Sequence, residues 1–141
     1  MFHISRKTYS MKRSPAFYQN KKMLTNLEDD DCRFSASIKD VEEWFAILNE
    51  QIFGNKLDPF GSIHMRKDFE FHALFHYWPK HFNQPHYLEI SKTFDSKKLF
   101  VEILAHEMIH LFQYQYNEPL GHGASFWMWR DNLNLKGLTL H

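Results

Sequence analysis

Leu104-Ala105-His106-Glu107-Met108-Ile109-His110 is the stretch on which the reading of this 141-residue chain turns. It contains the pattern H-E-x-x-H. On an α-helix, side chains four residues apart leave the same face, so the imidazoles of His106 and His110 can converge on one metal ion. Neutral imidazoles at ~2.0–2.1 Å suit Zn²⁺, and a catalytic zinc takes a third protein ligand and keeps one position open. Glu107 lies about 100° further round the axis. From there it can flank the metal without ligating it and serve as general base toward water. Three fixed positions also arise on ordinary amphipathic helices, so the surroundings matter. Ser96 to Tyr116 reads as one helix, apolar on most sides through Leu99, Phe100, Val101, Ile103, Leu104, Ile109, Leu111 and Phe112. Such a helix is buried, and a His-Glu-His set inside it needs partners that offset its desolvation. Zinc is the simplest partner that serves all three.

The third ligand separates the zinc-peptidase classes. The pattern H-E-x-x-H-x-x-G-x-x-H would need glycine and histidine where this chain has Gln113 and Tyr116, so that class is excluded. Further on comes Gly121-His122-Gly123. Glycines on both sides permit a tight turn that swings an imidazole back towards the helix. His122 is therefore the expected third ligand, giving a site of three histidines, and Glu118 is the alternative.

With these residues in view, the chain resembles the SprT/Spartan-like zinc metallopeptidases. His106-Glu107-Met108-Ile109-His110, a short polar loop and Gly121-His122-Gly123-Ala124-Ser125-Phe126 are similar to that family's HEMIH and GHGxxF motifs. Upstream, Leu48-Asn49-Glu50-Gln51-Ile52-Phe53-Gly54-Asn55-Lys56-Leu57 is similar to its opening helix and following turn. The resemblance spans roughly residues 38–135. It implies a minimal zincin-like fold, Zn²⁺ as cofactor, and a protease for proteins associated with or crosslinked to DNA. Many relatives append a zinc ribbon or DNA-binding tail after the last helix, and the sequence up to His141 has none, which leaves the metal site intact and counts against DNA targeting.

Composition bounds the rest. The length is that of one domain with a single core, and 14 Phe, 6 Tyr and 4 Trp mean that the core is built on rings. Formal net charge is zero, so whole-chain charge points to neither nucleic acid nor membrane. The charge is uneven, however. Arg6, Lys7, Lys12, Arg13, Lys21 and Lys22 precede any acid, and Glu28-Asp29-Asp30-Asp31 follow. If DNA is a partner, this basic stretch is where it would bind, with Tyr9 and Tyr18 available to stack on bases. The single cysteine, Cys32, excludes an internal disulfide and a Cys₄ ribbon, and is expected to be partly buried. A reducing compartment fits: cytoplasm, or nucleus or nucleoid if DNA is involved. No apolar run reaches the ~20 residues of a membrane span, and no secretory h-region is evident.

In chain order, residues 1–36 read as a flexible basic and acidic arm, and residues 37–141 as the metallopeptidase domain. Ser37 is an N-cap with Asp40 three residues on. Val41, Trp44, Phe45, Leu48 and Ile52 form one apolar stripe, and Gly54 stops the helix. From Gly61 the period becomes two. It predicts strands over Ser62–Arg66, Phe69–Trp78 and Tyr87–Ser91. By analogy with the resembled family, and from its place just before the H-E-x-x-H helix, Tyr87–Ser91 is the expected substrate-receiving edge. His64, His72, His76, His81 and His86 are assigned no ligand role. A last helix, Ala124–Leu135, carries Phe126, Trp127 and Trp129 as packing behind His122, and the role of Arg130 stays open between oxyanion neutralisation and an ion pair. The fold class is α+β: a three-stranded antiparallel sheet on an N-terminal helix, the H-E-x-x-H helix and a C-terminal helix.

The expected activity is zinc-dependent hydrolysis of peptide bonds in protein substrates. The ligands are His106, His110 and His122, and Glu107 is the base. The rival is a zinc-stabilised binding or adaptor module without turnover. Glu107 favours the enzyme, because a purely structural zinc would not require it.

Overall fold

The computed structural model describes residues 13–141. Five helices occur among them: α1 (Pro15–Thr25), α2 (Ile38–Gln51), α3 (Lys97–Gln115), α4 (Ala124–Trp127) and α5 (Arg130–Asn134). The strands are β1 (Phe34–Ser35), β2 (Ile63–Arg66), β3 (Ala73–His76), β4 (Tyr87–Ser91) and β5 (Thr93–Phe94). The class is α+β, as expected.

Helix α3 is the central support. The Ser96 hydroxyl caps it, accepting from the Leu99 amide at 3.0 Å. Phe100, Val101, Leu104, Ala105, Met108 and Ile109 are wholly buried. That burial holds the H-E-x-x-H turn rigidly inside the core rather than on a mobile surface. Helix α2 packs across α3. It starts with the expected capping box, in which Ser37 Oγ accepts from Asp40 N at 3.1 Å and Asp40 Oδ2 accepts from Ser37 N at 2.9 Å. A cap of this kind contributes about 1 kcal/mol. Past its end, Gly54 and Asn55 take left-handed φ of 61° each, and the chain reverses. The Asn49 side chain fixes this reversal, donating to Leu57 O at 3.0 Å and accepting from Leu57 N at 3.1 Å. Leu57 and Phe53 are thereby pinned into the core.

Several expectations are corrected. Residues 15–25, read as part of the N-terminal arm, form the helix α1, begun by Ser14 as N-cap and Pro15 in the first turn. Only Leu24 of this helix is buried, so no apolar stripe announced it; the Ser-Pro start was the available signal. Gln51 Nε2 donates to Phe17 O at 2.9 Å and ties α1 to α2. The basic and aromatic residues Phe2, Arg6, Lys7, Tyr9 and Lys12 lie outside the described residues. Cys32 is exposed, not partly buried.

The three-stranded sheet is mixed rather than antiparallel, in the order β2-β4-β3. β4 pairs parallel to β2 and antiparallel to β3. The connection through residues 67–86 is long enough to cross over, and β3 forms within it on the far flank. Tyr87–Ser91 is therefore the central strand and not the edge. Its Leu88 and Ile90 are completely buried. β3 is the edge strand that packs against α3. It is also shorter than Phe69–Trp78, because Asp68 and His72 adopt left-handed φ of 56° and 60° and turn the chain. Phe69-Glu70-Phe71-His72 alternates like a strand, but Phe71 ends up 63% exposed in that turn.

The C-terminal helix is divided in two around Met128 and Trp129. Phe126, Trp129 and Leu133 face inward, whereas Trp127 is 44% exposed and is not part of the packing. Leu138 and Leu140 are buried, which brings residues 138–141 back beside α3. Among the described residues, no helix is long and apolar enough to cross a membrane.

Candidate metal centre

His106 and His110 lie one turn apart on α3, and the Gly121-His122-Gly123 turn carries the third imidazole to them. Gly121 has φ of 117°, a backbone conformation that side-chain-bearing residues rarely adopt. The three Nε2 atoms form a triangle with each side 3.2 Å. Tetrahedral zinc at ~2.0–2.1 Å places its ligand nitrogens about 3.3–3.4 Å apart, so the triangle fits such an ion without rearrangement. Among the described residues this is the one group of three or more His, Cys, Asp or Glu side chains able to hold a metal. The structure thus brings together His106, His110 and His122, and leaves Glu118 out.

Hydrogen bonding fixes the tautomers. His106 Nδ1 lies 2.9 Å from the main-chain oxygen of His141, which can only accept. His110 Nδ1 lies 2.9 Å from Gln113 Oε1. Both rings therefore carry their proton on Nδ1 and aim the Nε2 lone pair at the centre of the triangle. Lone pairs converging at 3.2 Å repel one another unless a cation sits among them. Burial, with nearby imidazoles adding to it, pushes His106 down to about 4. Burial lowers His110 as well. Both rings are thus neutral, as ligands must be, at neutral pH.

Gln113 was noticed in the sequence only as the residue that is not glycine. It proves to be the hinge pin of the site. Wholly buried, its Oε1 accepts from His110 Nδ1 and from the Gly121 amide at 3.3 Å. Its Nε2 donates to Gly121 O at 3.1 Å and Ser125 Oγ at 3.0 Å, and Ser125 Oγ donates onward to Pro119 O at 2.6 Å. One amide thereby holds a histidine of the helix and the loop bearing His122. A glutamine one turn after a candidate ligand on a buried helix was the signal that could have found it. Replacing Gln113 with alanine will leave these groups unpaired. We expect Zn²⁺ affinity, read by competition with a chromogenic chelator, to fall about 10–100-fold. Unchanged affinity would mean that other contacts set the loop.

Phe126 is the floor of the site. It is wholly buried, and its ring centroid lies 4.8, 5.2 and 4.7 Å from those of His106, His110 and His122. Glu107 stands to one side, with Oε2 at 3.7 Å from His106 Nε2. Burial raises its carboxyl to about 7, against a hydrogen bond from the Phe75 amide of β3 that acts in the opposite sense. His106, Glu107, His110 and His122 open onto a cleft of about 280 Å³ walled by Leu74, Phe75, Tyr77 and Leu120. Larger cavities lie elsewhere; the one of about 380 Å³ beside Ile38, Phe45, Phe60 and Ile63 has only Glu42 as an ionisable group. The convergent nitrogens and the buried carboxyl group face the smaller cleft. Arg130 is exposed and does not line it.

Among the described residues, His64, His76 and His86 stay outside the site. His76 Nε2 pairs with Glu89 at 2.9 Å, His64 Nε2 with Ser62 Oγ at 3.0 Å, and His86 Nδ1 accepts from Gly61 N at 3.2 Å.

A family model described as the SprT-like family matches residues 41–140. The chain belongs to the SprT-like family. No curated protein matches it. The match starts inside α2 and takes in every residue of the triad, Glu107, Gln113 and Phe126. SprT-like membership links the chain to metallopeptidase-like function, and the three histidines supply a place for a metal ion.

Proposed function

We propose that this chain is a zinc-dependent endopeptidase of SprT-like type acting on protein substrates. His106, His110 and His122 hold Zn²⁺ and Glu107 is the general base. The observation that carries this reading is the 3.2 Å triangle of Nε2 atoms with a buried carboxylate 3.7 Å from one corner. A structural site would have no use for that carboxylate in an open cleft. When bound, zinc supplies a Lewis acid and lowers the pKa of a coordinated water to ~7. Glu107 takes a proton from the attacking water and returns it to the departing amine. A buried carboxyl 3.7 Å from His106 Nε2 is placed for that two-way transfer.

The edge strand β3 runs beside the triad and supports a minimal zincin-like arrangement. An extended peptide can add alongside β3 as a further strand, with main-chain hydrogen bonds for affinity and side-chain pockets for selection. The strand expected for this role, Tyr87–Ser91, is enclosed on both flanks and cannot receive a peptide. The test is hydrolysis of a denatured protein by the zinc-loaded chain. Stoichiometric zinc with no turnover on any unfolded substrate would leave the non-catalytic binding module.

We also propose, from the resemblance, that the substrates include DNA-associated or DNA-crosslinked proteins. Of the basic stretch, Arg13, Lys21 and Lys22 fall among the described residues. Lys136 joins them: its pKa is lowered by burial first, then by the charges of Lys21 and Arg13. Deleting residues 1–27 would remove the buried Leu24 and disturb the core. Neutralising Arg13, Lys21 and Lys22 to alanine is the cleaner experiment. We expect single-stranded DNA affinity to fall and the slope of log affinity against log salt to drop by about 2, at ~0.7 for each phosphate that is no longer neutralised. Identical salt titrations for wild type and variant would place the DNA-binding surface elsewhere. No binding by either at low salt would remove DNA as a direct partner.

A further inference from the structure

Glu102 lies one turn before His106 on α3, so Glu102, His106 and His110 occupy one face of the helix at four-residue intervals. It is 5% exposed, and a buried carboxylate requires strong partners. Its hydrogen-bond partners among the described residues are all on residues 139–141. Thr139 N donates to Oε2 at 2.7 Å, and His141 Nε2 lies 2.9 Å from Oε1. Leu138 and Leu140 are buried while Thr139 and His141 are exposed, and this alternation seats the same segment against the core. The segment then presents the main-chain oxygen of His141 to His106 Nδ1 at 2.9 Å. Metal-ligating histidines in general owe their orientation and basicity to such an acceptor on the second nitrogen. Gln113 fills this role for His110; for His106 it is filled by backbone that Glu102 anchors at residues 139 and 141, beyond the Leu138 amide held by Leu133 O at 3.0 Å.

We infer that Glu102 and His141 are positioning residues for the metal centre, acting through the main-chain oxygen that orients His106. This rests on the reading of His106 as a ligand. The clamp also joins residues 138–141 to the site, although nothing in their sequence announces a functional role. Neither residue touches the centre of the triangle, and neither lines the cleft.

The test compares wild type, His141→Ala and Glu102→Gln by Zn²⁺ affinity against a chromogenic chelator. It adds the melting temperature of each metal-free chain and the nitrogen-15 signals of His106. His141→Ala removes one exposed side chain, and we expect it to weaken zinc at least ~10-fold while the metal-free melting temperature holds. Glu102→Gln loses acceptor strength towards both Thr139 N and His141 and should weaken zinc at least as much. In the metal-free wild type His106 should be the Nδ1–H tautomer, and in both variants a mixture. Wild-type affinity and wild-type tautomer in both variants would overturn the inference and leave the zinc reading standing. A loss of affinity matched by an equal fall in metal-free stability would also overturn it, since the residues would then be merely structural. Failure of wild type itself to bind zinc would overturn both readings together.

Discussion

Replacing Glu107 with glutamine is expected to abolish proteolysis while making the metal-free chain more stable at alkaline pH. The first effect follows from chemistry. Glutamine keeps the shape of the side chain but cannot accept a proton, and loss of a positioned base costs ~10²–10⁴-fold in rate. Zinc content should not change, because Glu107 is not a corner of the nitrogen triangle. The second effect follows from burial. Burial raises the folded-state pKa of Glu107 from 4.5 to about 7. Its contribution is fully present below pH 4.5, where both states are protonated, and is lost as pH rises through about 7, where the folded state must carry a buried charge. Glutamine removes that penalty, worth on the order of 2–3 kcal/mol above pH 8. Melting curves of the metal-free forms at pH 5 and pH 8.5 should therefore nearly coincide at the lower pH and separate at the higher. Retained hydrolysis in Glu107→Gln would end the proposed mechanism, and a variant less stable at pH 8.5 would end the account of its burial.

His122→Ala should have the next largest effect. It removes one of three nitrogens from an exposed turn, so the fold of the metal-free chain should be barely altered. Zinc should drop from one per chain to a small fraction after dialysis. Metal held only by the folded state adds about 4 kcal/mol at a thousandfold excess over its dissociation constant, or roughly 10 °C in melting temperature for a domain of this size. The variant should lose that increment and melt like the metal-free wild type. Elemental analysis and melting with and without added zinc provide the measurement. Equal zinc in both proteins would exclude His122 and return Glu118, whose Oε1 is buried without a partner among the described residues, as the third ligand.

The sequence by itself determined the local chemistry. Four-residue spacing on one helix face put His106 and His110 together, because helical geometry is set by the backbone and needs no tertiary information. Glycines around His122 marked the turn that closes the triangle, and Ser37 with Asp40 marked the start of α2, because capping and positive φ are also local properties. What only the tertiary structure decided are relations between segments distant in the chain. Alternation identified strands but not their neighbours, so the parallel pairing of β2 with β4 and the edge position of β3 were not legible. A period of two fixes which face of a strand is buried, not which strand lies beside it. The same limit hid Gln113 and the Glu102–His141 clamp. A polar residue on a buried helix declares that it must have a partner, but the partner is chosen by packing, and here it arrives from loops and from residues 138–141.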